Sequence, residues 1–198
     1  MMDAAKDIWW KALISLACGS GLKRNEILNL TWSDIDFEKQ IIHIRAKAET
    51  AQTIEWEPKD HENRVVPICD QSARMLVDMQ AEAQEKHPYV FISPARLQKI
   101  RERQKQGKWT ARSHIVNNMR NNFLAMRDKA GMTKLALHDL RRSALTNWAQ
   151  RLPMQVVQQL AAHSDISTTK KYYFAVRLED LQSAGKVLNN IMSWCSDD

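Results

Sequence analysis

Apolar positions recur at helical spacing along most of the chain, and one stretch breaks that period. From about Ala4 to Cys18, Trp9, Leu13 and Leu16 share one face of a helix that Gly19-Ser20-Gly21 ends. A short second helix is expected over Arg24–Leu30, with Ile27 and Leu28 inward, then a turn at Asp34-Ile35-Asp36. β-Branched runs follow. Strands are expected at Gln40–Arg45, Thr53–Trp56 and Arg64–Ile68, the last two joined by a charged hairpin turn, Glu57–Asn63. Links this short predict a small antiparallel sheet.

Helical spacing then returns. A helix runs from an Asp70 N-cap to about Lys86, with Ala73, Leu76 and Val77 inward, until Pro88. Val116, Met119, Phe123 and Met126 mark another helix, ended by Gly131. His138–Leu152 carries Leu140, Ala144 and Trp148 on one stripe, and Pro153 suits the first turn of Met154–Ala162. Ser167–Phe174 holds the tyrosines, and the tail Leu178–Trp194 is amphipathic. The expected fold is mainly α with a small antiparallel β-sheet (α+β): one domain over 1–177, then a tail over 178–198.

Composition narrows the class. Hydrophobic residues at 44% and charged residues at 26% suit a globular chain of 198 residues. A net charge of +6 and a sequence pI near 9.3 fit a polyanionic partner, or simply a solubility charge. Cys18, Cys69 and Cys195 are odd in number and far apart, which suggests neither a zinc site nor a disulfide framework. A reducing cytoplasm is expected. The apolar stretch Ile8–Ala17 contains Lys11 and is too short to span a bilayer. Basic residues are densest between Arg96 and Arg112, where Arg101, Arg103, Lys105 and Lys108 are candidate DNA contacts; a solvated helix face is the plainer reading.

Two segments carry chemistry. In Leu137-His138-Asp139-Leu140-Arg141-Arg142-Ser143, His138 and Arg141 are three apart, so a helix brings both to one face. Further on, His163 precedes Tyr172 by nine residues. Each signal is weak alone. In this order and separation they suit attack on a phosphodiester, whose transition state gathers negative charge that guanidinium forks match. The nucleophile must lose a proton and the leaving oxygen must gain one.

The chain resembles the catalytic domain of the tyrosine recombinases, the phage-integrase family. Leu-His-Asp-Leu-Arg-Arg-Ser resembles the family's second box, and Ala-His-Ser-Asp-Ile-Ser-Thr-Thr-x-x-Tyr its third. The segment from Gly21 to Asp36 resembles the first box, and Glu57-Pro58-Lys59 with Asn63-Arg64-Val65-Val66-Pro67 the hairpin that carries the lysine. The resemblance covers about residues 5 to 180.

It implies that Tyr172 attacks the scissile phosphate and forms a 3′-phosphotyrosine. Arg141 holds the non-bridging oxygens, with His163 supporting from the other side. His138 donates to phosphate or takes the tyrosine proton, Lys59 protonates the 5′ oxygen, and Glu26 orients neighbouring groups. No metal or other cofactor is implied. The partner implied is double-stranded DNA in a prokaryotic cytoplasm, contacted also by Arg24 and Arg142. Self-association through Leu178–Trp194 is expected, with folding back onto its own domain as the alternative, and a separate N-terminal DNA-clamping domain is expected to be missing from this chain. Tyr173 is a rival nucleophile, but adjacent helical residues differ by about 100° in direction.

One position departs from the family pattern. Lys23 stands where the first box carries an arginine, and lysine keeps the charge without the planar fork. Either Lys23 serves at reduced rate, or Arg24 takes its place, or the protein is an integrase-derived DNA-binding module that barely cleaves. A metal-dependent nuclease would need a carboxylate cluster, and none has convincing spacing. A type IB topoisomerase shares the chemistry but matches the boxes less well.

Overall fold

The structure is a computed structural model that describes residues 1–58, 63–109, 115, 119–162 and 165–173, with backbone alone at 171 and 173. Its centre is a helix, α1 (Ile8–Gly19), begun by Asp7, whose Oδ1 accepts from the Trp10 amide at 2.8 Å. Ala12 to Ala17 are all buried, so the helix is enclosed rather than one-sided. Two helices pack on it: α3 (Asp70–Ala81) and α6 (Leu137–Ala149). Small side chains allow the α1–α3 approach, where the Ser15 and Ser72 hydroxyls meet at 2.7 Å.

The sheet is antiparallel in the order β1 (Ile35–Asp36), β2 (Ile41–Ile44), β3 (Arg64–Pro67). Ile35 and Val66 both pair with Ile42, and Ile42, Ile44 and Val66 turn their side chains into the main core. The fold class is therefore the expected one.

Several boundaries move. Asp34-Ile35-Asp36 is not simply a turn: a 3₁₀ turn (Trp32–Asp34) leads into β1. Thr53–Trp56 does not join the sheet. It makes one bridge, Trp56 to Lys47, while the Ile54 amide donates to the Tyr89 hydroxyl at 2.7 Å. That segment packs instead on α4 (Pro94–Lys105), where Ile54 sits in a small core with Tyr89, Ile92 and Ile100.

The α3 N-cap is Cys69, and the helix stops at Ala81, well before Pro88. Ala73 and Leu76 face inward as expected, but Val77 is 49% exposed. The remaining helices are α2 (Arg24–Leu28), α5 (Met119–Lys129), α7 (Met154–Ala161) and α8 (Ile166–Tyr173). Val116, Arg112 and the tail Leu178–Trp194 lie outside the described residues. No described helix is long and apolar enough to cross a membrane.

Candidate active site

The turn after α1 depends on Gly21. Its φ is +57°, and a Cβ there would lie 2.8 Å from Cη2 of Trp148 on α6. The turn can therefore sit against α6, and its carbonyl is within reach of Arg141. Arg141 is 4% exposed; its Nη1 donates to the Gly21 carbonyl and its Nη2 to the Ala161 carbonyl at 2.5 Å. One guanidinium thus ties the first box to the end of α7. A buried guanidinium requires such acceptors, since an unpaired charge in the interior is costly.

Lys23 is the N-cap of α2, with extended backbone (φ −68°, ψ 145°) and a half-buried side chain. Its amide donates to Glu26 Oε2 at 2.6 Å. Glu26 is 3% exposed and faces Arg64 on β3: Nη1 and Nη2 of Arg64 donate to its two oxygens at 2.8 Å each. The Arg64 Nε donates to the Leu160 carbonyl at 3.0 Å. Two buried arginines from different elements therefore meet the last turn of α7 at adjacent carbonyls, and both reach back to the Lys23 turn. The chain then leaves α7 through Ala162 in the left-handed region (φ 48°, ψ 59°).

Tyr172 is half-buried on α8 and packs on Leu145, Val157 and Ala161 with Trp148 and Leu152. Thr169, one turn earlier, is fully buried, so Tyr172 lies on the inward-facing side of α8. Tyr172 thus packs against the apolar cluster that contains Ala161, the residue whose carbonyl Arg141 holds. His138 is exposed in the first turn of α6, one turn before Arg141. Arg24 is exposed and its Nε donates to Asn25 Oδ1 at 3.3 Å. Lys59, His163 and the side chain of Tyr173 lie outside the described residues.

The basic candidates divide. Arg103, Lys105 and Lys108 are exposed, and exposed Arg142 pairs with Asp139 at 3.2 Å. Arg101 is engaged inside the protein. Its Nη2 donates to the carbonyls of Thr50 and Thr53 at 2.5 and 2.6 Å, and its Nη1 to Glu49 at 3.2 Å.

Sequence reading missed two buried charge groups. Arg64 had a usable signal: period-two alternation places it on the same strand face as buried Val66, where an arginine needs an anion. Asp34 gave less warning. It is 1% exposed, receives the Thr31 amide and hydroxyl, and pairs with Lys47 at 2.8 Å and Arg45 at 3.0 Å. Burial alone would raise its pKa, but the hydrogen bonds from Lys47 and Thr31 and the Lys47 charge outweigh burial and hold the carboxyl below its usual value. Among the described residues, no cluster of His, Cys, Asp and Glu could hold a metal ion.

The phage integrase family model matches residues 1–179. A tyrosine recombinase XerC-like protein of Caldanaerobacter subterraneus subsp. tengcongensis is 27% identical over 205 residues, covering 96% of this chain and 51% of its own. Tyrosine recombinase XerA of Pyrococcus furiosus is 25% identical over 185 residues, covering 92% and 56%. The chain thus spans about half the length of the curated relatives it matches. Among solved structures, a XerA recombinase superposes with a TM-score of 0.64 at 20% identity, over 92% of this chain and 58% of that one. The Tn1549 transposon integrase in complex with transposon right-end DNA gives 0.64 at 16% identity, over 91% and 59%.

Proposed function

Because the chain belongs to the phage integrase family, we propose that it is the cleaving part of a site-specific tyrosine recombinase, breaking and rejoining duplex DNA through a 3′-phosphotyrosine on Tyr172. The carrying observation is the knot at the end of α7: the Lys23 turn, Arg141 and the packing site of the Tyr172 ring all meet there.

The Tyr172 phenol oxygen attacks phosphorus, the P–O5′ bond breaks, and the 3′ phosphate stays on the protein. Its phenolic proton passes to His138 or to water, and Lys59 supplies the proton that the 5′ oxygen takes up. Rejoining runs the same steps backwards, so the bond energy is kept. Arg141 and His163 hold the non-bridging oxygens. A guanidinium has five N–H donors, enough to hold two carbonyls and a phosphate oxygen together. Because Arg141 is held in place before DNA arrives, its charge acts with little reorganisation, an effect worth about 2.7–4 kcal/mol for comparable donors.

Lys23 supplies charge without the fork, which supports slow cleavage rather than none. The exposed residues Arg24, Arg142, Arg103, Lys105 and Lys108 suit phosphate contacts outside the reacting centre. Leu178–Trp194 is the segment we assign to contact with a neighbouring protomer on DNA.

The test uses labelled nicked duplexes with randomised arms, enriched on the wild-type chain for covalent capture. On a denaturing gel, wild type retains the label and Tyr172→Phe does not. A Tyr172→Phe chain that still traps DNA overturns the assignment of the nucleophile. Lys23→Arg is expected to raise the single-turnover cleavage rate about tenfold, equivalent to about 1.4 kcal/mol of barrier. An unchanged rate would place Lys23 away from the phosphate.

A further inference from the structure

Arg64 lies outside the set of groups that would touch the phosphate, yet it connects the elements that carry them. Its strand, β3, begins five positions after Lys59 in the sequence. Its fork closes on Glu26, whose Oε2 also holds the Lys23 amide at 2.6 Å. Its third donor takes the Leu160 carbonyl at 3.0 Å, next to the Ala161 carbonyl that Arg141 holds. The side chains of Arg64 and Glu26 are 5% and 3% exposed, so water does not compete for these bonds.

We infer that Arg64 is a positioning residue for strand cleavage: by bridging Glu26 to the Leu160 carbonyl, it sets where the Lys23 turn lies relative to the end of α7. This inference rests on the reading of the site above. The chemistry requires an arginine. Only a guanidinium offers two parallel donors to a carboxylate and a third at an angle; an ammonium keeps the charge, but its three donors diverge from one nitrogen and cannot form the parallel pair. Positioning matters because a displacement of about 1 Å can cost on the order of 100-fold in rate.

The experiment compares wild type, Arg64→Lys and the neutral double variant Glu26→Gln/Arg64→Gln, all in the full chain. Single-turnover cleavage of the enriched nicked duplex is followed at saturating protein, alongside the Kd for the same duplex and the melting temperature. Cleavage gives two readouts: amplitude reports the folded, competent fraction, and the rate constant reports the site within it. Both variants are expected to bind DNA within about twofold of wild type while the rate constant falls on the order of 10- to 100-fold. A purely structural Arg64 would lower amplitude and melting temperature and leave the rate constant unchanged, which overturns the inference. If Arg64→Lys does not fold, the double variant decides, because it leaves no unpaired buried charge. Wild type that traps no DNA sinks this inference together with the site reading; wild type that cleaves beside variants of equal rate constant sinks this inference alone.

Discussion

At the scale of single residues, the site is organised by buried charges and one glycine. Gly21 is fixed twice, by its positive φ and by the Trp148 ring where a Cβ would be. Gly21→Ala is expected to destabilise by about 2–4 kcal/mol, combining left-handed backbone strain with overpacking; urea unfolding measures it. Asp34 makes stability depend on pH. Its folded pKa is depressed, so the unfolded chain binds the proton more readily, and stability rises with pH through that window. The contribution is present above the unfolded carboxyl value of about 3.9 and is lost as pH falls through the lower folded value. Melting temperatures between about pH 2 and 6 should fall toward acid in wild type and change less in Asp34→Asn. His138 with Arg141, and His163 with Tyr172, could be singled out as candidates because the spacing within each pair is local. Arg64 with Glu26, and Lys47 with Asp34, were not paired from sequence, because each pair spans separate elements and a lone charge on a strand reads as solvated.

At the scale of elements, periodicity gave the helices well and the strands less well. α6 and α7 fall within a few residues of their expected spans, each with apolar residues on one stripe and a proline between them. Thr53–Trp56 was misplaced. Its β-branched residues signal extended backbone, but nothing in the pattern says whether that backbone joins the sheet or packs on a helix. Arg101 decides it, by holding the loop carbonyls against α4. Arg101→Gln should therefore loosen the loop with little effect on the global fold. Backbone amide exchange over residues 49–54 is expected to speed up about tenfold or more, since hydrogen bonds to charged groups are worth about 1.5–3 kcal/mol. Unchanged exchange would show that other interactions secure the loop.

For the whole molecule, charge says more about the partner than about the fold. A net +6 includes Arg64, Arg101, Arg141 and Lys47, all committed to internal partners. The basic surface available to a polyanion is smaller than the count of cations suggests. Replacing Arg103, Lys105 and Lys108 by Gln should flatten the slope of log K against log salt by up to about 2.7, at about 0.9 for each phosphate no longer neutralised. A slope that does not move assigns these cations to bulk solvent. Composition pointed to a polyanion but could not tell which basic residues were already engaged.

Both stapling arginines grip oxygens of the main chain at α7, not side chains. Every amino acid carries that oxygen, so position 160 can change identity freely without releasing the staple, provided the helix persists. Leu160→Met or Leu160→Gln should leave trapping of DNA unaltered.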